Sequence, residues 1–317
     1  SFERAFLAQL VAKLERRMKE IETSINRYLA ALDSADLQEP AIAKARTERL
    51  QDKIAALKEQ MKALKDIEVK LNETPDKQIS LTDPDARSMK TRGEGIVGYN
   101  VQTAVDTKHH LIVAHEVTNV GLDRNQLTNM GTQARAAIGK EDLTVVADRG
   151  YFKSEEILSC HKAGIIPIVP KTDTSNATAD GRFGKAHFIY DVTNNEYRCP
   201  AGQSLTYRSS GIEGGLKLHR YWSSSCRQCA LKAKCTPGAQ RRVKRWEHED
   251  VLDAMQTRLD LAPDSMRIRR ETVEHPYGTI KLWMGSAHFL MRTLKHVSTE
   301  MSLHVLAYNL KRVIRIL

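Results

Sequence analysis

The run Leu143 to Ala147 is apolar, long enough for one buried strand and too short for a helix, and it ends on a carboxylate, Asp148. Gly150 follows, and a helical pattern opens near Lys153, so the segment reads as strand, turn and helix around one acid. That succession makes the surrounding chain α/β, and a strand end is a rigid place to hold an acid. Taken alone, Asp148 reads better as the cap of the helix beginning near Lys153.

A second segment, Ser265 to Lys281, adds to this. Arg270 and Glu274 are four apart and share one face of a helix, where the acid can meet a metal ion and the guanidinium can hold that acid or a phosphate. Pro276 and Gly278 are expected to break the helix, and Lys281 comes seven residues after Glu274. This Arg-x3-Glu-x6-Lys spacing resembles the C-terminal signature of DDE-class insertion-sequence transposases. The strand ending in Ala147-Asp148-Arg149-Gly150-Tyr151-Phe152 resembles their second-Asp motif. The stretches Trp283 to Leu290 and Ser298 to Arg312 are similar to the same branch, and the resemblance runs from about Lys77 to the end.

The resemblance implies a ribonuclease H-like mixed sheet flanked by helices, and cleavage and strand transfer at transposon ends. Double-stranded DNA is then the partner, and Asp148 and Glu274 are the second and third catalytic acids. Phosphodiester transfer needs an activated attacking oxygen, a stabilised leaving oxygen and an offset phosphate charge. Two divalent ions about 4 Å apart do all three, and carboxylates are the ligands that hold Mg2+ or Mn2+. Arg270 and Lys281 are the cations expected at the phosphate. Arg267 stands where the family often has Tyr; it keeps a phosphate contact and loses stacking on a flipped base.

Chain order sets a further expectation. Phe6, Leu10, Leu14, Met18, Ile21, Ile25 and Leu29 recur at three and four, and Leu50, Ile54, Leu57, Met61, Leu64, Ile67 and Leu71 repeat the pattern. Residues 1–72 therefore read as an antiparallel coiled-coil hairpin, either a solvated arm or an element for homo-oligomerisation or DNA contact. Residues 73–170 read as the first part of the core, 171–245 as a cysteine-rich β insertion, and 246–317 as the second part with C-terminal helices. Asn72 to Gly98 is expected to be loop, with Asp83 and Asp85 in Asx-Pro turns.

Only two strands, a hairpin over Tyr99 to Thr118, then precede the helix Gln126 to Ile138, whereas the family has three, with the first acid on strand one. The missing strand is expected upstream of Ser1. The chain would then be a truncated copy, and a non-catalytic DNA-binding remnant becomes the alternative function. The competing count makes Asp106 the first acid; its simpler reading is an Asp opening the hairpin turn.

In the insertion, Cys199, Cys226, Cys229 and Cys235 carry turn residues around a two-residue spacing, which suits a tetrahedral thiolate site for structural zinc; four free thiols are the alternative. Cys160 lies on an apolar helix face and reads as core. The run Arg241, Arg242, Val243, Lys244, Arg245, Trp246 offers phosphate contacts with one aromatic for stacking, or a charged edge with Trp246 turned inward. A net charge of +10 and a pI near 9.3 favour a polyanionic partner. No membrane-length apolar run and no signal peptide are visible, so a cytoplasmic, nucleoid-associated protein is expected, where disulfides are disfavoured.

Overall fold

The computed structural model describes residues 2–35, 40–74, 78–80, 82–90, 95–172 and 176–317. The chain forms two compact units: Ser1–Asn100 with Thr118–Gly121 and Leu290–Val297, and Val101–Val117 with Leu122–Phe289 and Ser298–Leu317.

The first unit opens with two 34-residue helices, α1 (Phe2–Ala35) and α2 (Pro40–Glu73), packed on each other. The apolar repeat explains the seam: Ile21 and Ile54 are buried, and the described stripe positions beside them are mostly half-buried. Two helices cover only a narrow stripe, so Leu29 stays 43% exposed.

Beyond α2, the segment expected as loop holds two strands. β1 (Arg87–Lys90) and β2 (Gly95–Gly98) pair antiparallel, with Arg87 opposite Gly98. Three strand segments of the chain, β1, β2 and the hairpin's first strand, thus stand before the hairpin's return. β1 and β2 form a two-stranded sheet of their own, separate from the hairpin that follows. Four-residue strands between turn residues carry too little apolar periodicity to be seen in sequence. Asp83 and Asp85 form the expected Asx turn, Asp85 N–H donating to Asp83 Oδ1 at 3.3 Å. They also accept from Thr293 N–H at 3.1 Å and Leu294 N–H at 2.8 Å, capping the start of a C-terminal helix whose first amides otherwise lack partners. Tyr99 donates to Asp83 Oδ2 at 2.8 Å, and burial, reinforced by that carboxylate, pushes its phenol pKa up.

In the second unit, β3 (Asn100–Val105) and β4 (Ile112–Thr118) form the expected hairpin. There follow α3 (Leu127–Ile138), β5 (Leu143–Val146), α4 (Ser154–Lys162) and β6 (Ile165–Ile168). β5 and β6 pair in parallel, Leu143 opposite Ile165, so α4 is their crossover helix. Ile157, Cys160, Ile165, Val169, Trp246 and Met255 are buried together here, which places Cys160 in the core as its helical face suggested.

After the short α5 (Asn176–Ala179), residues 189–246 build a five-stranded sheet: β7 (Ile189–Asp191), β8 (Glu196–Arg198), β9 (Ser204–Glu213), β10 (Leu216–Trp222) and β11 (Arg242–Trp246), in the order β11-β10-β9-β8-β7 with every pair antiparallel. Its own core is aromatic, with Tyr197 and Tyr221 edge to face at 5.2 Å over Leu205 and Val243. β9 is polar and β11 mostly charged, so neither carries an apolar period that sequence alone would show.

Three helices close the chain: α6 (Glu249–Leu261), α7 (Ser265–Gly278) and α8 (Leu294–Ile316). α7 does not break at Pro276, which is buried within it, and the chain continues into a π-helical turn, Thr279–Trp283, where Met284 N–H reaches Thr279 O at 3.0 Å. Packing of the buried face outweighs the amide that Pro276 lacks. Asn309 of α8 brackets β4, accepting from Ile112 N–H and donating to Ile112 O.

Candidate functional site

The last ladder bond of β5 is made by Ala147, whose N–H reaches Ile168 O at 3.1 Å, and the next residue is Asp148. Its backbone is extended, and Oδ1 accepts from Gly150 N–H at 2.9 Å, capping the tight turn Arg149–Tyr151 rather than α4. The other oxygen, Oδ2, accepts from Arg269 of α7 at 2.8 Å. The strand end therefore aims the carboxylate outward, half-exposed, and α7 meets it with a guanidinium.

A second carboxylate shares the place. A Cβ built on Gly150 would stand 3.0 Å from Asp148 Oδ1 and 3.6 Å from Asp123 Oδ2, so the two acids flank one glycine. Asp123 is held by Gln102 of β3, whose Nε2 donates to Asp123 Oδ1 at 2.7 Å. Gln102 is 2% exposed, and its Oε1 accepts from the Tyr151 hydroxyl. Burial, followed by the charges of Asp123 and Asp148, pushes the Tyr151 phenol pKa well up, which keeps it a donor. Tyr277 of α7 donates to Val101 O at 2.9 Å and packs under Lys281, whose Nζ lies 5.6 Å from the ring centre. Gln102, Asp123, Tyr151 and Arg269 are functional candidates that sequence reasoning missed. Only Tyr151 carried a signal, by its place in the motif around Asp148.

The expected residues are distributed as follows. Glu274 and Arg270 are both exposed on α7, about 140° and 100° round the helix from Arg269. The guanidinium on Asp148 is thus Arg269, where spacing pointed to Arg270. Lys281 is exposed just beyond α7. Arg267 pairs on its own helix with Asp264 and Glu271, each at 3.3 Å. Asp106 opens the hairpin turn, its Oδ2 accepting from His109 N–H at 2.6 Å.

Strand alternation sorts the basic run. Arg242 and Lys244 are exposed, and Arg242 lies 5.3 Å over Trp222, with Arg208 at 6.0 Å from the same ring. Lys244 pairs with Glu213. Arg245 is 8% exposed, bound to Asp253 at 2.8 Å and stacked 3.9 Å over Tyr190, and Trp246 is core. Arg241 turns back to Cys235 O at 3.4 Å.

Residues 198–314 match the family model described as a transposase DDE domain, which supports a DDE-class transposase. The matched span starts in β8 and ends in α8, so it contains α7 with Arg269, Glu274 and Tyr277, while Asp148 and Asp123 lie before it. Comparisons with curated proteins and with solved structures gave no match. Among the described residues no helix is long and apolar enough to cross a membrane.

Proposed function

We propose that this chain is a DNA transposase that cleaves phosphodiesters at transposon ends and joins them to target DNA, with its chemistry centred on Asp148. The observation that carries this reading is the ion pair between Asp148, at the end of β5, and Arg269, on the helix that the family match includes. The element order supports it as well. Antiparallel strands, a helix, a strand ending in an acid, a parallel neighbour and a later helix with Glu274 come in the order of a ribonuclease H-like core, although the hairpin β3–β4 and the parallel pair β5–β6 are hydrogen-bonded as two separate sheets and not as the one mixed sheet expected.

The carboxylates of Asp148 and Asp123 flank Gly150 and are oxygen donors of the kind a hard divalent cation takes, whereas Glu274 stands on another face of α7 from Arg269, and among the described residues no group of three or more His, Cys, Asp or Glu side chains is arranged to hold a metal ion. Mg2+ or Mn2+, when bound, would supply Lewis-acid stabilisation of the phosphate and activation of the attacking oxygen. The chain's own groups do the rest. Gln102 aims Asp123, Gly150 N–H steadies Asp148 Oδ1, and Arg269 holds Oδ2 as a cation at that oxygen. Lys281, Arg270 and Arg242 offer exposed positive charge for the DNA backbone, with Trp222 as the aromatic beside Arg242. Helices α1 and α2 pack on each other, and the apolar side chains they leave exposed, Leu29 and Val69 among them, suit association with a second copy.

Incubation of the chain with labelled transposon-end duplex and Mn2+ should give nicked product. Asp148→Ala and Glu274→Ala should each lower the rate at least a hundredfold while end binding persists. Binding without any nicking by the parent chain would favour the DNA-binding remnant instead, and cleavage indifferent to both substitutions would remove the reading.

A further inference from the structure

The four cysteines of the sheet region stand on three separate turns. Cys199 opens a turn closed by Gly202 N–H to Cys199 O at 2.8 Å, with Gly202 at φ +76°, a conformation that suits glycine. Cys226 lies within the turn Ser224–Gln228 and Cys229 ends it, and Cys235 ends the next turn. All four line one hollow beside the aromatic core of the sheet, and none is in a disulfide. The other three thiols are near enough to Cys235 to act on it electrostatically. Cys199 and Cys235 also pack against the aromatic cluster, which fixes the walls of the hollow.

The surroundings point the same way. Arg241 borders the hollow with its guanidinium 5.3 Å over Phe188, and its buried Nε has no acceptor among the described residues. A thiolate sulfur would supply that acceptor. Among the described residues no group of three or more His, Cys, Asp or Glu side chains is already arranged to hold a metal. The sulfurs border the hollow without meeting, and rotation about each Cα–Cβ bond swings a sulfur between staggered positions.

We propose that Cys199, Cys226, Cys229 and Cys235 close on one zinc ion, a structural site that ties the turn after β8 and the long β10–β11 connection to the sheet. Zn2+ displaces four thiol protons and leaves a centre of net charge −2, which the guanidinium of Arg241 offsets. Four protein sulfurs complete a tetrahedron and leave no open position, so the site holds structure and takes no substrate. The proposal is independent of the chemistry assigned to Asp148.

The test uses the full chain, purified without chelator. Elemental analysis should find about one zinc per chain in the parent and in Cys160→Ser, and none in Cys229→Ser. Replacement by Co2+ should give the visible absorption of a tetrahedral cobalt thiolate. Should Cys229→Ser fail to fold, titration of the parent with a mercurial should release one zinc per four thiols. Absence of zinc with four thiols reacting freely, an iron–sulfur chromophore, or unchanged zinc in both Cys229→Ser and Cys235→Ser would overturn the proposal.

Discussion

Replacing Arg269 by Ala should tighten divalent-metal binding while weakening catalysis. The pair it makes with Asp148 is 2.8 Å long, and the two side chains are 24% and 46% exposed. A charge-assisted hydrogen bond is worth about 1.5–3 kcal/mol when shielded, and an exposed ion pair about 0–1 kcal/mol. With nearly half of the Asp148 side chain in solvent, we take about 1 kcal/mol. A cation arriving at Asp148 Oδ2 has to displace the guanidinium, so its removal should favour metal by that amount, roughly fivefold in affinity. The assay is the rate of end cleavage against Mn2+ concentration at fixed DNA, with calorimetric titration of metal into the DNA-free chain. Half-saturation should fall about fivefold in Arg269→Ala and less in Arg269→Lys, and the difference should shrink at high salt. An unchanged or raised half-saturation would show that Arg269 and the metal do not compete for one oxygen.

Three other outcomes are expected. Gln102→Leu leaves the Tyr151 hydroxyl and Asp123 without their buried partner, so thermal unfolding should show a loss of about 1–3 kcal/mol, and end cleavage should fall with it. Glu249 is 4% exposed; burial raises its pKa, but Lys185 and Lys171 outweigh that and the net shift is downward from 4.5. A depressed carboxylate stabilises the fold above its unfolded pKa, and that contribution is lost as pH falls below about 4.5, so denaturant titrations of Glu249→Gln should show a shallower acid loss than the parent. Deletion of residues 2–73 should leave the five-stranded sheet folded by circular dichroism and lower the number of chains per sedimenting particle; an unchanged number of chains would deny the arm a part in association.

The elements that sequence reading placed well are those with one dominant period. The hairpin, α3, α4, the strand ending at Asp148 and the two long helices each show an apolar repeat that only one secondary structure can bury. Where polar residues make the element, periodicity is silent: β1 is four residues long, β9 is half Ser, Thr and Arg, and β11 is a basic run whose pairing with β10 makes it a strand. α7 shows the opposite failure, since a local rule for Pro276 predicts a break that burial of that residue overrides.

Local covalent order alone determined that a rigid strand would present Asp148, that four thiols would stand at turns, and that Arg270 and Glu274 would share one helix. Those facts depend on neighbours within a few residues, which any reader of the chain can see. Only tertiary packing decided that Asp123 shares Gly150 with Asp148, that Arg269 rather than Arg270 turns toward the acid, and that Arg245 and Trp246 are withdrawn into the core. Each of these depends on the rotation of a helix or the pairing of a strand against a partner tens of residues distant. Such rotations are set by which face buries the most apolar surface, a quantity that belongs to the assembled fold.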